Sequence, residues 1–351
     1  MGGRGKRLPP PPALAQSSGD KPPKWGAHID LEGKPGTKRS LGEADLFVPL
    51  VQSDRTLLFA NARGRFDDSD SIEGNFGMGL RRMLDGGWNL GGYAYFDRLR
   101  SEQHNVFHQT TLGIEALGRD WDVRVNGYVP VGERIKNVDS LSTAELSGTT
   151  VVFRGGEERG LAGFDAEVGW RVPFWRADAL QALRIYAGGF RFGDDVVKTV
   201  AGPRGRLELT FDQVPGLWEG ARLALGTEVQ HDDVRGTQAF FTVQLRIPLE
   251  PGKEQPSRLT AQERRMTTPV VRDVDIVSQA GAFGAPETAT LVNGGAITVV
   301  SSASTTGAGL PGAVTAAGAN STVILSGTFN TTAVTTLQVG QTLIGSGSLQ
   351  V

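Results

Sequence analysis

The sequence predicts an all-β fold of about twelve antiparallel strands, and three observations predict it. From Trp88 to Leu249, short segments place an apolar residue at every second position. Charged, Gly-rich turns separate these segments. The period is two throughout rather than the 3.6 of a helix. The clearest segments are Trp121-Asp122-Val123-Arg124-Val125-Asn126, Arg206-Leu207-Glu208-Leu209-Thr210-Phe211-Asp212 and Phe241-Thr242-Val243-Gln244-Leu245-Arg246-Ile247. Successive strand side chains point to opposite faces, so each segment has one apolar and one polar face. In a soluble sandwich the polar face is solvated. In an outer-membrane barrel the apolar face meets lipid and the polar face lines a wet lumen. Local alternation fits both.

Bulk composition narrows the field. The 351 residues carry a net charge of -2, with 48 Gly and no Cys. This balance gives no electrostatic footprint for nucleic acid. Absence of Cys excludes a disulfide framework and a thiolate metal site. No stretch reaches the roughly 18 to 20 consecutive apolar residues of a membrane helix, so a membrane location would require a closed barrel. Residues 1–24 are basic and Pro-rich and read as a disordered segment. Within them, Ala13-Leu14-Ala15-Gln16 resembles a signal-peptide remnant.

Residues 25–250 divide into strands at Gly26–Glu32, Ala44–Val51, Thr56–Phe66, Ile72–Met83, Trp88–Arg98 and Val106–Leu117. The series continues at Trp121–Val131, Gly163–Phe174, Leu183–Phe192, Gly205–Val214, Ala221–His231 and Gln238–Leu249. Tight turns at Gln52–Arg55, Asp85–Gly87 and Gly118–Asp120 alternate with longer polar connections at Asp67–Asp70, Ser101–Asn105 and Gly132–Gly160. Short periplasmic turns and longer extracellular loops are the barrel pattern. In a barrel, Trp121, Val123, Val125, Val129, Phe164, Val168 and Trp170 would face lipid. Arg63, Arg124, Asn126, Asp165 and Glu167 would face the lumen, as would Arg171, Arg206, Glu208, Arg222, Glu228 and Arg246. Trp88, Trp121, Trp170, Trp175 and Trp218 near strand ends suit an interfacial girdle.

After Leu249 the texture changes. Residues 251–290 open with a polar break. Ser257–Arg265 reads as a short helix with Ser257 as N-cap, ended by Pro269, and Val270–Val277 is extended. From about residue 291 to 351, Ala, Gly, Ser, Thr and Val dominate. Ser321–Gly327 and Thr336–Gly345 read as short strands of a parallel β-helix-like stack.

Several segments resemble a known family. Asp45-Leu46-Phe47-Val48-Pro49-Leu50, then Leu57-Leu58-Phe59-Ala60-Asn61-Ala62-Arg63, are similar to the opening of the inverse autotransporter β-domain, found in intimins and invasins. Asn75–Arg81, Leu90–Asp97 and Val125–Pro130 resemble its later landmarks, in order. The resemblance covers roughly Trp25 to Leu249. It implies a twelve-stranded antiparallel transmembrane β-barrel in the bacterial outer membrane with both ends in the periplasm. It implies a linker threading the lumen and a passenger at the cell surface, here β-helix-like, in an adhesin-type protein. Partners would be outer-membrane lipid, the barrel-assembly machinery, periplasmic chaperones and a host or surface ligand of the passenger. In such a barrel the linker charges Arg264, Arg265, Arg272, Asp273 and Asp275 would meet wall charges such as Arg124, Glu167 and Glu208.

Enzymatic and metal chemistry find no support in the sequence, and no cofactor is expected. His104 and His108 fall in a loop and a strand start, where an i, i+4 spacing makes no ligand face. Gly74, Gly77 and Gly79 lie in a strand, where glycine makes room for a neighbour rather than cradling phosphate. Asp67-Asp68-Ser69-Asp70 lacks the Gly and distal Glu of a calcium loop. The rival functions are a porin or solute channel, which needs an open lumen, and a soluble all-β carbohydrate-binding protein, which needs no membrane.

Overall fold

Alternation of apolar and polar residues becomes twelve strands in the computed structural model, which describes residues 24–147, 150–249, 256–272, 276–289 and 295–345. The strands are β1 His28–Lys34, β2 Leu41–Gln52, β3 Thr56–Asp67, β4 Ile72–Met83, β5 Asn89–Arg100 and β6 Val106–Leu117. They continue as β7 Trp121–Val131, β8 Ala162–Val172, β9 Gln181–Gly193, β10 Val200–Phe211, β11 Arg222–Asp232 and β12 Gly236–Pro248. Each pairs antiparallel with its sequence neighbours, and β1 closes on β12 from His28↔Pro248 to Gly33↔Val243. Closure removes both sheet edges, which is the condition for a sheet to stand in lipid.

Side-chain burial is inverted relative to a soluble sandwich. Arg124 and Asn126 are 1% exposed, whereas Val129 on the same strand is 61% exposed. Phe164, Val168 and Trp170 stand outside while Asp165 and Glu167 are buried. Charged residues inside and apolar residues outside leave only a barrel in an apolar solvent.

Two details depart from expectation. Strand β10 starts at Val200 rather than Gly205 and runs through Gly202-Pro203. The ladder of β10 with β11 begins only at Arg204↔Gln230, so no ladder bond to β11 is needed from the proline. The expected alternation of short and long connections is also weaker than the sequence suggested. At the end holding both barrel termini, residues 173–180 and 212–221 make longer connections than 68–71 and 233–235 at the opposite end. The asymmetry rests on residues 132–161 alone. All five girdle tryptophans lie at the terminal end, with Trp121 and Trp170 cross-strand partners.

The long connection is structured. Its strands Ile135–Asn137 and Gly156–Gly160 form a sheet with Ser278–Phe283. Its hairpin Thr143–Ser147 and Thr150–Arg154 pairs with Glu287–Thr288. Beyond these, Ile297–Ser301, Thr322–Ser326 and Thr342–Gly345 form a parallel three-stranded ladder. One face of the ladder packs Val300 and Val323 on Leu310 and Val314 of the helix Leu310–Ala316, which the sequence reading did not anticipate. The other face packs Val299 and Ile324 against Val151 of the barrel hairpin.

Candidate functional site

The lumen is occupied by the chain that follows β12. Arg63, Arg124, Asn126, Asp165 and Glu167 lie on inward positions and are buried, as is Arg246. Arg206, Glu208, Arg222 and Glu228 point inward on β10 and β11 with partial exposure, and Arg171 lies at the rim, bonded to Asp120 at 2.6 Å. Many of these charges answer one another across the ladder. Arg124 reaches Glu167, its cross-strand partner, at 2.7 Å. Arg246 grips Asp30 through two bonds of 2.9 Å at the closure seam. Cross-strand neighbours lie close enough for such pairing without any help from the linker.

That mutual pairing corrects the expected linker contacts. Arg264 binds Asp212 at 3.1 Å, Arg265 binds Asp122 at 2.7 Å and Arg272 binds Asp97 at 2.9 Å. None of these carboxylates was foreseen, since Arg124, Glu167 and Glu208 were expected as partners. Glu167 and Glu208 are engaged by wall arginines, Glu208 by Arg206 at 3.0 Å. Asp273 and Asp275 lie outside the described residues.

The segment enters at the terminal end as a short turn of helix. Its N-cap is Thr260 rather than Ser257: the Thr260 hydroxyl accepts from the Glu263 N–H while the Glu263 carboxylate accepts from the Thr260 N–H. This capping box starts the helix Ala261–Arg264 and satisfies two orphan donors. The spacing Thr260-x-x-Glu263 was visible in the sequence. Trp25, 1% exposed, donates its indole N–H to the Glu263 carbonyl at 2.9 Å. Lys24 reaches the Glu263 carboxylate at 2.8 Å, and that hydrogen bond raises the ammonium pKa although burial opposes it. Asn89 donates to the Gln262 carbonyl at 2.8 Å.

Just inside, the lumen turns apolar. Phe47, Leu57, Phe59, Met83, Tyr93 and Tyr95 surround Met266 and Val270. Inward glycines make this level possible. A Cβ at Gly77 would lie 2.3 Å from the Tyr95 ring, and one at Gly79 would lie 2.3 Å from the Phe59 ring. The rings therefore lie flat on the wall and leave a passage. Arg81 then clamps the backbone, donating to the carbonyls of Met266 at 2.8 Å and Thr268 at 2.6 Å. Arg246 donates to the Thr267 carbonyl at 2.8 Å.

Farther along, Asn126 donates to the Val271 carbonyl at 3.3 Å, and Glu73 accepts from the Ile276 N–H at 2.9 Å. At the far end Ser278 bonds Glu158 at 2.7 Å, and Glu158 also holds Ser101 at 2.8 Å. An irregular backbone at membrane depth requires partners for its polar groups, and the wall supplies them. Arg81, Asp97, Glu73, Trp25 and Glu158 were missed by sequence reasoning. The one usable signal was the change along β3 from inward Leu57 and Phe59 to inward Asn61 and Arg63, which marks the apolar level.

Comparison with known proteins follows the geometry. The family profile described as "Inverse autotransporter, beta-domain" matches residues 23–202. No curated protein matches the chain. A solved structure described as "Unveiling the Mechanism Behind the in-meso Crystallization of Membrane Proteins" is 16% identical, with a TM-score of 0.53. That match covers 73% of this chain and 100% of the other, and shows the fold alone. The translocator domain of autotransporter NalP from Neisseria meningitidis is 10% identical with a TM-score of 0.32, covering 64% of this chain and 87% of that one.

Proposed function

Since this chain belongs to the inverse autotransporter β-domain family, an outer-membrane barrel family, we propose that it anchors itself in that membrane and exports its own C-terminal segment to the cell surface. One observation carries the reading. The chain after β12 turns back into the barrel at the end where β12 finishes and runs through the lumen to the other end. There it zips onto strands of the longest connection. A segment exported as a hairpin through its own barrel would leave that trace.

The terminal end is then periplasmic, and residues 132–161 and everything after Gly281 are outside. The barrel reaches the membrane with the barrel-assembly machinery and periplasmic chaperones. The surface segment acts as an adhesin of the intimin and invasin type, with a host or surface ligand. No nucleotide or ion gradient is available at the outer membrane, so folding outside supplies the driving force. Burial of Val299, Val300, Val323 and Ile324 on the parallel ladder is the start of that gain, each such side chain worth about 1.5–3 kcal/mol. A solute channel would need an open lumen, which Met266, Arg81 and their neighbours obstruct.

Epitope tags test the topology. Tags after Asp139 and after Gly307 are expected to be detected on intact cells, and a tag at Gly86 only after permeabilisation. A hidden Asp139 tag together with an exposed Gly86 tag would reverse the barrel and end the export reading.

A further inference from the structure

The outer wall of the barrel carries charge of one sign. Cross-strand partners share a face, so the register assigns each strand position to lumen or lipid. Among the described residues at outward strand positions, the charged side chains other than histidine are all arginines. Arg82 lies at the terminal end, and Arg98, Arg100 and Arg191 lie at the far end. No outward strand position holds a carboxylate. Arg98 and Arg100 stand two residues apart on β5, hence on one face and roughly 7 Å from each other along the strand. Among the described residues neither pairs with a carboxylate. The Arg98 guanidinium has no partner, and that of Arg100 meets only Nδ1 of His104, at 3.3 Å.

Beside these arginines the wall is notched. Gly64, Gly74 and Arg98 are successive cross-strand partners on β3, β4 and β5. Ile72 flanks the glycines toward the far end and Phe76 toward the membrane centre, both more than half exposed. Together with Arg98 and Arg100 they line an outward groove of about 620 Å³. Clefts that take up small ligands span about 300–1,000 Å³. The two glycines differ from those that face the lumen. Gly77 and Gly79 hold space taken by the Tyr95 and Phe59 rings. A Cβ at Gly64 would meet nothing within 4 Å, and one at Gly74 only the Phe76 ring at 3.7 Å. Packing within the chain therefore accounts for the inner glycines and not for these two, whose space opens toward lipid.

We propose that this groove binds a phosphorylated glycolipid of the outer leaflet, with one acyl chain along Gly64 and Gly74 and head-group phosphates on Arg98 and Arg100. Charge decides the class. Arginine on the lipid face is costly, and an anion at head-group level relieves it. A second barrel packed side by side has no outward strand carboxylate to offer, so the anion within reach is a phosphate of the lipid itself. Guanidinium forks hold phosphate through two parallel N–H···O bonds. Two arginines on one face match a head that bears two phosphates better than a phospholipid with one. The choice of leaflet rests on the reading that the far end is outside.

Native mass spectrometry of the full chain, released from detergent after incubation with bisphosphorylated lipid A, tests this. One lipid A per barrel is expected, held at least roughly tenfold more tightly than its dephosphorylated form or phosphatidylglycerol. R98Q/R100Q should weaken it about thirtyfold, the loss of two arginine contacts at a membrane surface. G64L/G74L, which fills the groove where the wall leaves room, should weaken it too. R191Q removes an outward arginine with no groove beside it and should change binding less than about twofold. Heat-modifiable gel mobility shows that each variant is folded. Equal retention of the dephosphorylated or single-phosphate lipid would overturn the proposal. So would unchanged binding in either double variant, an equal loss in R191Q, or an arginine-dependent dimer of barrels in place of bound lipid. Reversed epitope tags would remove the leaflet assignment instead, a failure of the export reading that leaves binding by the purified barrel unchanged.

Discussion

Arg272→Met removes the cation that ties the threading segment to the middle of the wall. Arg272 and Asp97 both have fully buried side chains, 2.9 Å apart, and the guanidinium also lies 4.3 Å from the centre of the Tyr95 ring. Removing one member of a buried pair costs about 3–5 kcal/mol, because the survivor is left charged and poorly solvated. Asp97 keeps its hydrogen bonds from Asn75 and Thr111, so the lower bound of about 3 kcal/mol applies here. On an equilibrium between seated and unseated segment, that is roughly a hundredfold. Single-channel recording reads it as the ratio of full-bore to blocked time, with heat-modifiable gel mobility checking that the barrel is folded. The ratio should rise about a hundredfold in Arg272→Met. It should fall back to within about tenfold of the native ratio in Arg272→Met/Asp97→Leu, where an apolar pair replaces the ionic one. A single variant with native blocking would refute the reasoning, as would a double variant as open as the single.

Three further outcomes are expected. Val125→Arg on the lipid face should cost about 2–4 kcal/mol in barrel unfolding measured in bilayers, whereas Thr242→Arg, which lines the lumen cavity, should cost less than half as much. Val151→Asp should leave the barrel folded but make residues 295–345 sensitive to external protease, because it puts a charge against Val299 and Ile324. Unchanged protection would separate the ladder from the hairpin. Acid should loosen the Arg159–Asp194 contact at the far end. Burial alone would raise the Asp194 pKa, but the Val196 N–H at 2.6 Å and Arg159 at 3.2 Å hold it below 3.8. A depressed carboxylate stabilises above its ordinary pKa and loses that contribution as pH falls through the folded value. Loop proteolysis should therefore be flat from pH 7 to about 5 and increase only below about 4.

Strands were legible where alternation is clean and turn residues flank it. Ile72–Met83, Val106–Leu117 and Trp121–Val131 carry the bounds read from the sequence. Inward and outward faces followed directly, since parity is a local property of a strand. The partners of Arg264, Arg265 and Arg272 were not legible. They depend on the stagger of strands far apart in the chain, and on which wall acids are already neutralised by a cross-strand arginine. Asn126 illustrates the cost of reading parity alone. It faces the lumen, yet its bonds to Asp165 at 2.9 Å and to the Val271 carbonyl make it unsuitable for the tolerant lumen substitution its parity suggests. The helix start was legible in principle. Thr260 and Glu263 form a capping box, and Ser257 drew attention only as the first hydroxyl after the polar break.

The concentration of tryptophan at one end of the barrel makes the molecule its own optical gauge. All six tryptophans of the chain belong to that end: five in or beside its connections, and Trp25 sealed beneath Glu263. Emission from the five reports a single leaflet, so quenchers carried at graded depth in the lipid would read how far the barrel sits in the bilayer. Trp25 reports something else. Shielded from water while its indole holds the Glu263 carbonyl, it would become accessible to iodide or acrylamide only when that segment withdraws. Its quenching would follow that withdrawal in time without any added label.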